Sequence, residues 1–151
     1  MKINRCSVMG KRGFQYNDGT CHIGMSARSK AEADAAASGE AWVSFDLDGT
    51  LIDDNGSRTK AADALQEISK QGFRIAVTSA RSEQSRESVE KILEKIGLSE
   101  SVEQIHLTDR KAKGIYFRDS GFHPVIHVDN KDVELMGLPD TTRGIAVSDI
   151  E

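Results

Sequence analysis

The sequence predicts an α/β fold, a doubly wound parallel five-stranded sheet with a small irregular N-terminal appendage. Three observations carry that expectation. From Ala41 onward, short apolar, β-branched runs alternate with segments of helical periodicity, the pattern of a parallel sheet covered on both faces. Gly72 and Gly97 stand where two of the periodic segments should stop. Polar residues capable of chemistry follow directly after the apolar runs, at the strand ends where ligands bind in such sheets.

Residues 1–40 read as an appendage or linker. Met1 to Gly24 is rich in Gly, Lys, Arg and Asn, with a turn signal at Asn17-Asp18-Gly19. Cys6-Ser7-Val8-Met9 and Thr20-Cys21-His22-Ile23 can flank that turn as a small hairpin. Ser26 to Ser38 is Ala-rich and charged, and reads as a short helix with Ser26 or Ser29 as N-cap and Gly39 beyond its end. It has too few large apolar residues to bury much surface, and it can also serve as an interaction arm.

The core, residues 41–151, opens with Trp42-Val43-Ser44-Phe45 as its first strand. Thr59 to Gln71 is a helix with Ala62, Leu65 and Ile68 on one face. Phe73 to Val77 is the second strand. Ser82 to Ile96 is the second helix, with Val89, Ile92, Leu93 and Ile96 at helical spacing. Val102 to Leu107 is the third strand and Lys111 to Ser120 a short helix. Val125 to Val128 and Gly144 to Val147 are strands four and five. No internal repeat is visible.

At 151 residues the chain fits one domain of ordinary size. Its 38% hydrophobic and 29% charged residues read as soluble and globular. A formal net charge of -4 gives no global electrostatic case for nucleic acid or an anionic membrane, although a local basic patch would suffice for a nucleic-acid end. No apolar run approaches the ~20 residues of a membrane span, and the N-terminus lacks the apolar core of a signal peptide. A cytoplasmic protein is therefore expected, with Cys6 and Cys21 as free thiols. Cys21-His22 is adjacent rather than spaced like a zinc knuckle.

The most informative stretch is Val43-Ser44-Phe45-Asp46-Leu47-Asp48-Gly49-Thr50-Leu51. Residues i and i+2 of a strand share a face, so Asp46 and Asp48 can converge just past the strand end. Two carboxylates that close repel unless a cation sits between them or one is protonated. Mg2+ supplies the cation, and one carboxylate can then attack phosphorus while the other handles protons. Gly49 allows a sharp turn and a close backbone approach.

This stretch resembles the first motif of the haloacid dehalogenase superfamily, whose phosphatase branch carries Asp-x-Asp-Gly-Thr at the end of its first core strand. The resemblance runs from about Ala41 to the C-terminus and implies that family's Rossmann-like core. It places the nucleophile on Asp46 and the general acid/base on Asp48, whose backbone carbonyl would also hold metal. Gly49 and Thr50 would lie against substrate. Ile75-Ala76-Val77-Thr78-Ser79 matches the second motif, with Thr78 favoured over Ser79 to donate a hydroxyl to a phosphoryl oxygen; Arg81 reads as an exposed first-turn residue. The third motif is a lysine at the start of the helix before strand four. Lys111 and Lys113 both qualify, and Lys113 is favoured by the Lys-Gly that precedes an apolar run. Ile126-His127-Val128-Asp129-Asn130-Lys131-Asp132 resembles the acidic fourth motif. Asp129 is the metal ligand expected there, and Asn130 or Asp132 completes the set. An oxygen-only site suits Mg2+. His106 and His127 are not needed for it and read as packed.

Members of the superfamily often carry a cap domain after the first or second motif. Here Leu51 to Gly56 fits only a short flap hairpin, and a helix and a strand fill the interval from Thr78 to Lys113. The expectation is a capless, Mg2+-dependent phosphomonoester hydrolase. It would work on a phosphorylated small molecule or macromolecular end through an aspartyl-phosphate, with closure by a second subunit or the N-terminal arm open to it. The alternatives are a non-catalytic binding or assembly module that keeps the core, and a phospho-acceptor domain with a persistent aspartyl-phosphate.

Overall fold

The computed structural model describes residues 42–71 and 73–150, together with the backbone of the strands β1 (Asn4–Val8), β2 (Lys11–Gln15) and β3 (Cys21–His22). These three strands form an antiparallel sheet in the order β1-β2-β3. Asn4 lies opposite Gln15 and Val8 opposite Lys11, while Phe14 and Gln15 face His22 and Cys21. The expected direct pairing of 6–9 with 20–23 is thus replaced, because a run around Lys11–Gln15 takes the middle position. The Asn17-Asp18-Gly19 turn, the 26–38 helix, Gly39, Gly72 and the two thiols lie outside the described residues.

The core is a five-stranded parallel sheet with helices between its strands. Its elements are β4 (Trp42–Phe45), α1 (Lys60–Lys70), β5 (Arg74–Ser79), α2 (Arg86–Lys95), β6 (Gln104–Leu107), α3 (Lys113–Ser120), β7 (Ile126–Asp129), α4 (Asp132–Met136) and β8 (Arg143–Ala146). The sheet order is β6-β5-β4-β7-β8, or 3-2-1-4-5 among the core strands. Phe45 pairs with Val77 on one side and Val128 on the other. The strand bearing the Asp-x-Asp motif is therefore central, and successive strands are added on opposite sides of it, β5 and β6 on one and β7 and β8 on the other. That switch point is where an open α/β sheet leaves a crevice at its carboxyl edge.

Burial follows the sequence periodicity. Val43, Phe45, Ile75, Val77 and Val128 are sealed on the sheet. Ala62, Leu65 and Ile68 of α1 and Val89 and Leu93 of α2 pack against it in one continuous core. Each fully buried aliphatic side chain contributes roughly 1.5–3 kcal/mol. α2 begins later than the periodicity predicts: Ser82 precedes a 3-10 turn over Glu83–Ser85, and the α-helix starts at Arg86. α4 is absent from the sequence reading, since five residues give too little periodicity to register.

The flap after β4 is a hairpin. Ile52 bridges Arg58, the Asp53 amide donates to the Ser57 carbonyl at 2.9 Å, and the Asp53 carboxylate accepts from the Asn55 and Ser57 amides. Leu51 and Ile52 anchor it in the core. One helix and one strand separate β5 from α3. Among the described residues no helix is long and apolar enough to cross a membrane.

Candidate active site

Asp46 is the first residue past β4, and its amide still donates to the Val128 carbonyl at 2.9 Å. The ladder thus fixes the backbone of the residue that carries the first carboxylate. A tight turn follows, in which the Leu51 amide returns to the Leu47 carbonyl at 2.9 Å and the Gly49 amide reaches the Ile52 carbonyl at 2.8 Å. Gly49 sits at φ 78°, and a Cβ there would lie 2.3 Å from the Asn130 amide group. Glycine is required for both reasons. The Thr50 hydroxyl donates to Asp46 Oδ2 at 3.2 Å.

Lys113 reaches into this turn from the first residue of α3 and is 3% exposed. Its Nζ lies 2.7 Å from Asp46 Oδ1 and 2.5 Å from Asp129 Oδ2. Two contacts hold α3 in position, and the sequence pointed to neither partner, Glu134 or Gly137. The Glu134 carboxylate accepts the Lys113 amide at 2.8 Å, satisfying an otherwise unpaired donor of the first turn. Gly114 lies so close to the Gly137 carbonyl that an added Cβ would be 1.9 Å from its oxygen. Lys111 is elsewhere: its Nζ is exposed and 3.5 Å from Asp119. Of the two lysines, only Lys113 is brought to the carboxylates.

Burial pushes the Asp46 carboxyl above its ordinary range; Lys113 pulls it down and Asp129 pushes it further up. Burial also raises Asp129, but the His127 hydrogen bond and the Lys113 charge outweigh it and hold that group at about 2. The lysine is thus shared between two carboxylates of which Asp129 is the more firmly ionised.

A buried polar chain runs beneath the site. His127 Nε2 lies 2.9 Å from Asp129 Oδ2, His127 Nδ1 lies 3.0 Å from Ser44 Oγ, and Ser44 Oγ lies 2.6 Å from Thr78 Oγ1. The ionised Asp129 only accepts, so Nε2 carries the imidazole hydrogen. Burial holds His127 below its usual pKa, which leaves Nδ1 as an acceptor. Ser44 then donates to His127, and Thr78 donates to Ser44. The Thr78 hydroxyl hydrogen is directed into the core. The Ser79 hydroxyl accepts the Arg81 amide at 3.2 Å, and its own hydrogen is uncommitted.

On the other side of Asp46, oxygens gather. The inward end of the Asn130 amide lies 2.9 Å from Asp46 Oδ2, 3.2 Å from Asp129 Oδ1 and 3.3 Å from the Asp48 carbonyl. With nitrogen inward, its two hydrogens are shared among these three acceptors. With oxygen inward, four oxygens converge with no hydrogen between them. The Asn130 oxygen then lies 2.9, 3.2 and 3.3 Å from the other three, a close grouping of hard oxygen donors of the kind Mg2+ takes. The donor set therefore fits Mg2+: two carboxylates, a backbone carbonyl and an amide. Among the described residues no three His, Cys, Asp or Glu side chains form a metal cluster, consistent with a set only half of which is carboxylate. Asp132 is exposed in the first turn of α4 and takes no part in this gathering.

Asp48 points away from the cluster. Its carboxylate receives a two-bond fork from Arg81, with Nε–Oδ2 at 3.0 Å and Nη2–Oδ1 at 2.7 Å. Arg81, read from the sequence as an exposed first-turn residue, is instead the partner of the second motif carboxylate.

A family model described as haloacid dehalogenase-like hydrolase matches residues 43–132, from the second residue of the central strand to the first residue of α4. No curated protein matches the chain. With more than half its length matched and its core strands in the order 3-2-1-4-5, this chain belongs to the haloacid dehalogenase-like hydrolase family.

Proposed function

We propose that the protein is a Mg2+-dependent phosphomonoester hydrolase that works through an aspartyl-phosphate on Asp46. The observation that carries this reading is the placement of Asp46, with one carboxylate oxygen on the buried Lys113 ammonium and the other 2.9 Å from the Asn130 amide group, beside Asp129 and the Asp48 carbonyl. Phosphoryl transfer asks mainly for positioning and charge neutralisation, and these groups supply both.

Asp46 Oδ1 attacks phosphorus, and the bond from phosphorus to the ester oxygen breaks. Asp48, protonated, gives its proton to the leaving oxygen. A water then attacks the same phosphorus and gives a proton to Asp48, the bond from phosphorus to Asp46 breaks, and phosphate leaves. Lys113 neutralises the nucleophile and the phosphoryl oxygens. Ser79 takes the hydroxyl-donor role in preference to Thr78, because the hydrogen of Thr78 is spent on Ser44. Asp46, Asp129, Asn130 and the Asp48 carbonyl would hold Mg2+, which offsets phosphoryl charge when bound. Members of the family generally use this ion.

Release of phosphate from a generic aryl phosphate tests the reading. It should require Mg2+, stop in EDTA and vanish in Asp46→Asn. A folded protein that binds Mg2+ and releases nothing from any ester would instead support a non-catalytic module.

A further inference from the structure

We propose that the cavity beside Asp48 takes a small phosphomonoester bearing a second anionic group, read by Arg110 and Arg81. The inference rests on the phosphatase reading for the direction in which substrate lies. Asp48 would protonate the ester oxygen, so the rest of the substrate occupies the space next to it. That space is a cavity of about 760 Å³ whose lining includes Asp48, Arg81, Gln84, Ser85, Asp109 and Arg110. Its volume falls in the range of small-molecule sites, roughly 300–1,000 Å³.

Two guanidiniums border it. Arg81 is engaged by the Asp48 carboxylate. Arg110 is exposed, and among the described residues its guanidinium has no hydrogen-bond or ion-pair partner, the adjacent Asp109 included. The backbone that carries Arg110 is held in an uncommon conformation. Asp109 and Arg110 are both left-handed, at φ 51° and 66°, a costly state for a side chain as large as arginine. It persists because the Asp109 amide donates to the Arg81 carbonyl at 3.1 Å and the Arg110 amide to the Ala80 carbonyl at 2.8 Å. The Thr108 hydroxyl closes the turn onto the Lys111 carbonyl at 2.8 Å. The loops after β5 and β6 are thereby tied together, and both arginines belong to one rim.

A guanidinium fork matches a carboxylate or phosphate through two parallel bonds. Arg81 already shows the match, with a carboxylate that the chemistry needs elsewhere. A second anion on the substrate competes for Arg81 and frees Asp48, while Arg110 binds the same anion without displacing anything. Asp109 repels an anion placed against it and suits a substrate hydroxyl.

Three esters that share an alkyl leaving group test this: butyl phosphate, 4-(phosphonooxy)butanoate and butane-1,4-diyl bisphosphate. Affinities are measured by calorimetry with Mg2+ on the full chain carrying Asp46→Asn, and turnover on the chain without it. Both bis-anions should bind about tenfold or more tightly than butyl phosphate, and the two arms separate a carboxylate from a phosphate as the second group. Arg110→Ala should cut the difference several-fold, leaving only the part that Arg81 reads. Equal affinity for all three esters overturns the inference, even where butyl phosphate is turned over and the phosphatase reading stands. A preference untouched by Arg110→Ala also overturns it. A preference that depends on Arg110, with no ester turned over, upholds the site and removes the phosphatase reading. An oligonucleotide with a terminal phosphate that binds more tightly than either bis-anion overturns the small-molecule class.

Discussion

Lys113 Nζ lies 2.7 Å from Asp46 Oδ1 with both side chains almost sealed from water, at 3% and 8% exposure. The same ammonium lies 2.5 Å from Asp129 Oδ2. One buried cation therefore keeps two carboxylates from facing each other uncompensated.

Lys113→Met should expose that repulsion. Removing one partner of a buried ion pair costs about 3–5 kcal/mol, so urea unfolding in EDTA should show a loss of that order. Adding Asp46→Asn to the variant should return part of it, because one of the opposed charges is gone. Phosphatase activity should fall by about 100-fold or more with the loss of phosphoryl neutralisation. A Lys113→Met protein as stable as the parent would mean that the lysine is not shared as described.

Thr78→Val and Ser79→Ala should behave differently. Thr78→Val keeps the shape but removes the hydrogen that Ser44 accepts, at a cost of about 1–3 kcal/mol in stability. It should leave kcat/KM within a few-fold of the parent. Ser79→Ala should cost up to about 1–3 kcal/mol for the lost acceptor of the Arg81 amide, but lower kcat/KM by about tenfold or more, as expected for a lost donor to the phosphoryl group. The reverse pattern would return the donor role to Thr78.

Gly114→Ala places a methyl group 1.9 Å from the Gly137 carbonyl oxygen. Backbone cannot yield as a side-chain tip does, so α3 must shift, and Lys113 with it. Overpacking of this kind costs roughly 1–3 kcal/mol. Activity should fall more steeply than stability, since a small displacement of the Lys113 ammonium is enough to spoil its bond to Asp46. Thermal unfolding beside steady-state kinetics checks the comparison.

His106 supplies a pH dependence outside the site. Its ring stacks on Phe122 with centroids 4.1 Å apart, and its nitrogens meet the Tyr116 hydroxyl at 2.8 Å and Gln104 Oε1 at 2.9 Å. Burial, then the nearby Arg86, push its pKa below the ordinary value of 6.5. The unfolded chain therefore binds this proton more readily than the folded one. The stability due to the neutral ring is present above about pH 6.5 and is lost as pH falls through that value toward the lower folded pKa. Urea midpoints measured from about pH 8 to pH 5 should decline toward acid. The decline should be shallower in His106→Phe, and an unchanged slope would contradict this account.

Much of the core was legible because its signals are local. The strand that ends in Asp46-Leu47-Asp48 announces itself by an apolar run broken by carboxylates, and Val89 and Leu93 mark the buried face of α2 by spacing alone. What stayed hidden depends on contacts distant in sequence. Lys111 and Lys113 both read as helix openers and the Lys-Gly pair only favours Lys113, whereas the Glu134 cap and the packing of Gly114 on Gly137 are what hold Lys113 facing Asp46. Arg81 looked like a surface residue because its partner, Asp48, lies on another strand end. The direction of the Thr78 hydroxyl is set by His127 and Asp129 on β7, three hydrogen bonds away. α4 is a single short turn with Val133 and Met136 exposed, so no periodicity marked it.

Covalent phosphorylation of Asp46 is tested by trapping that bond. The protein is mixed with an aryl phosphate and Mg2+, quenched in acid within one turnover and treated with borohydride, which reduces an aspartyl-phosphate to homoserine. Peptide mass spectrometry should find homoserine at position 46 only when both substrate and Mg2+ were present. Phosphate released with an unmodified Asp46, or homoserine at another position, would contradict the account.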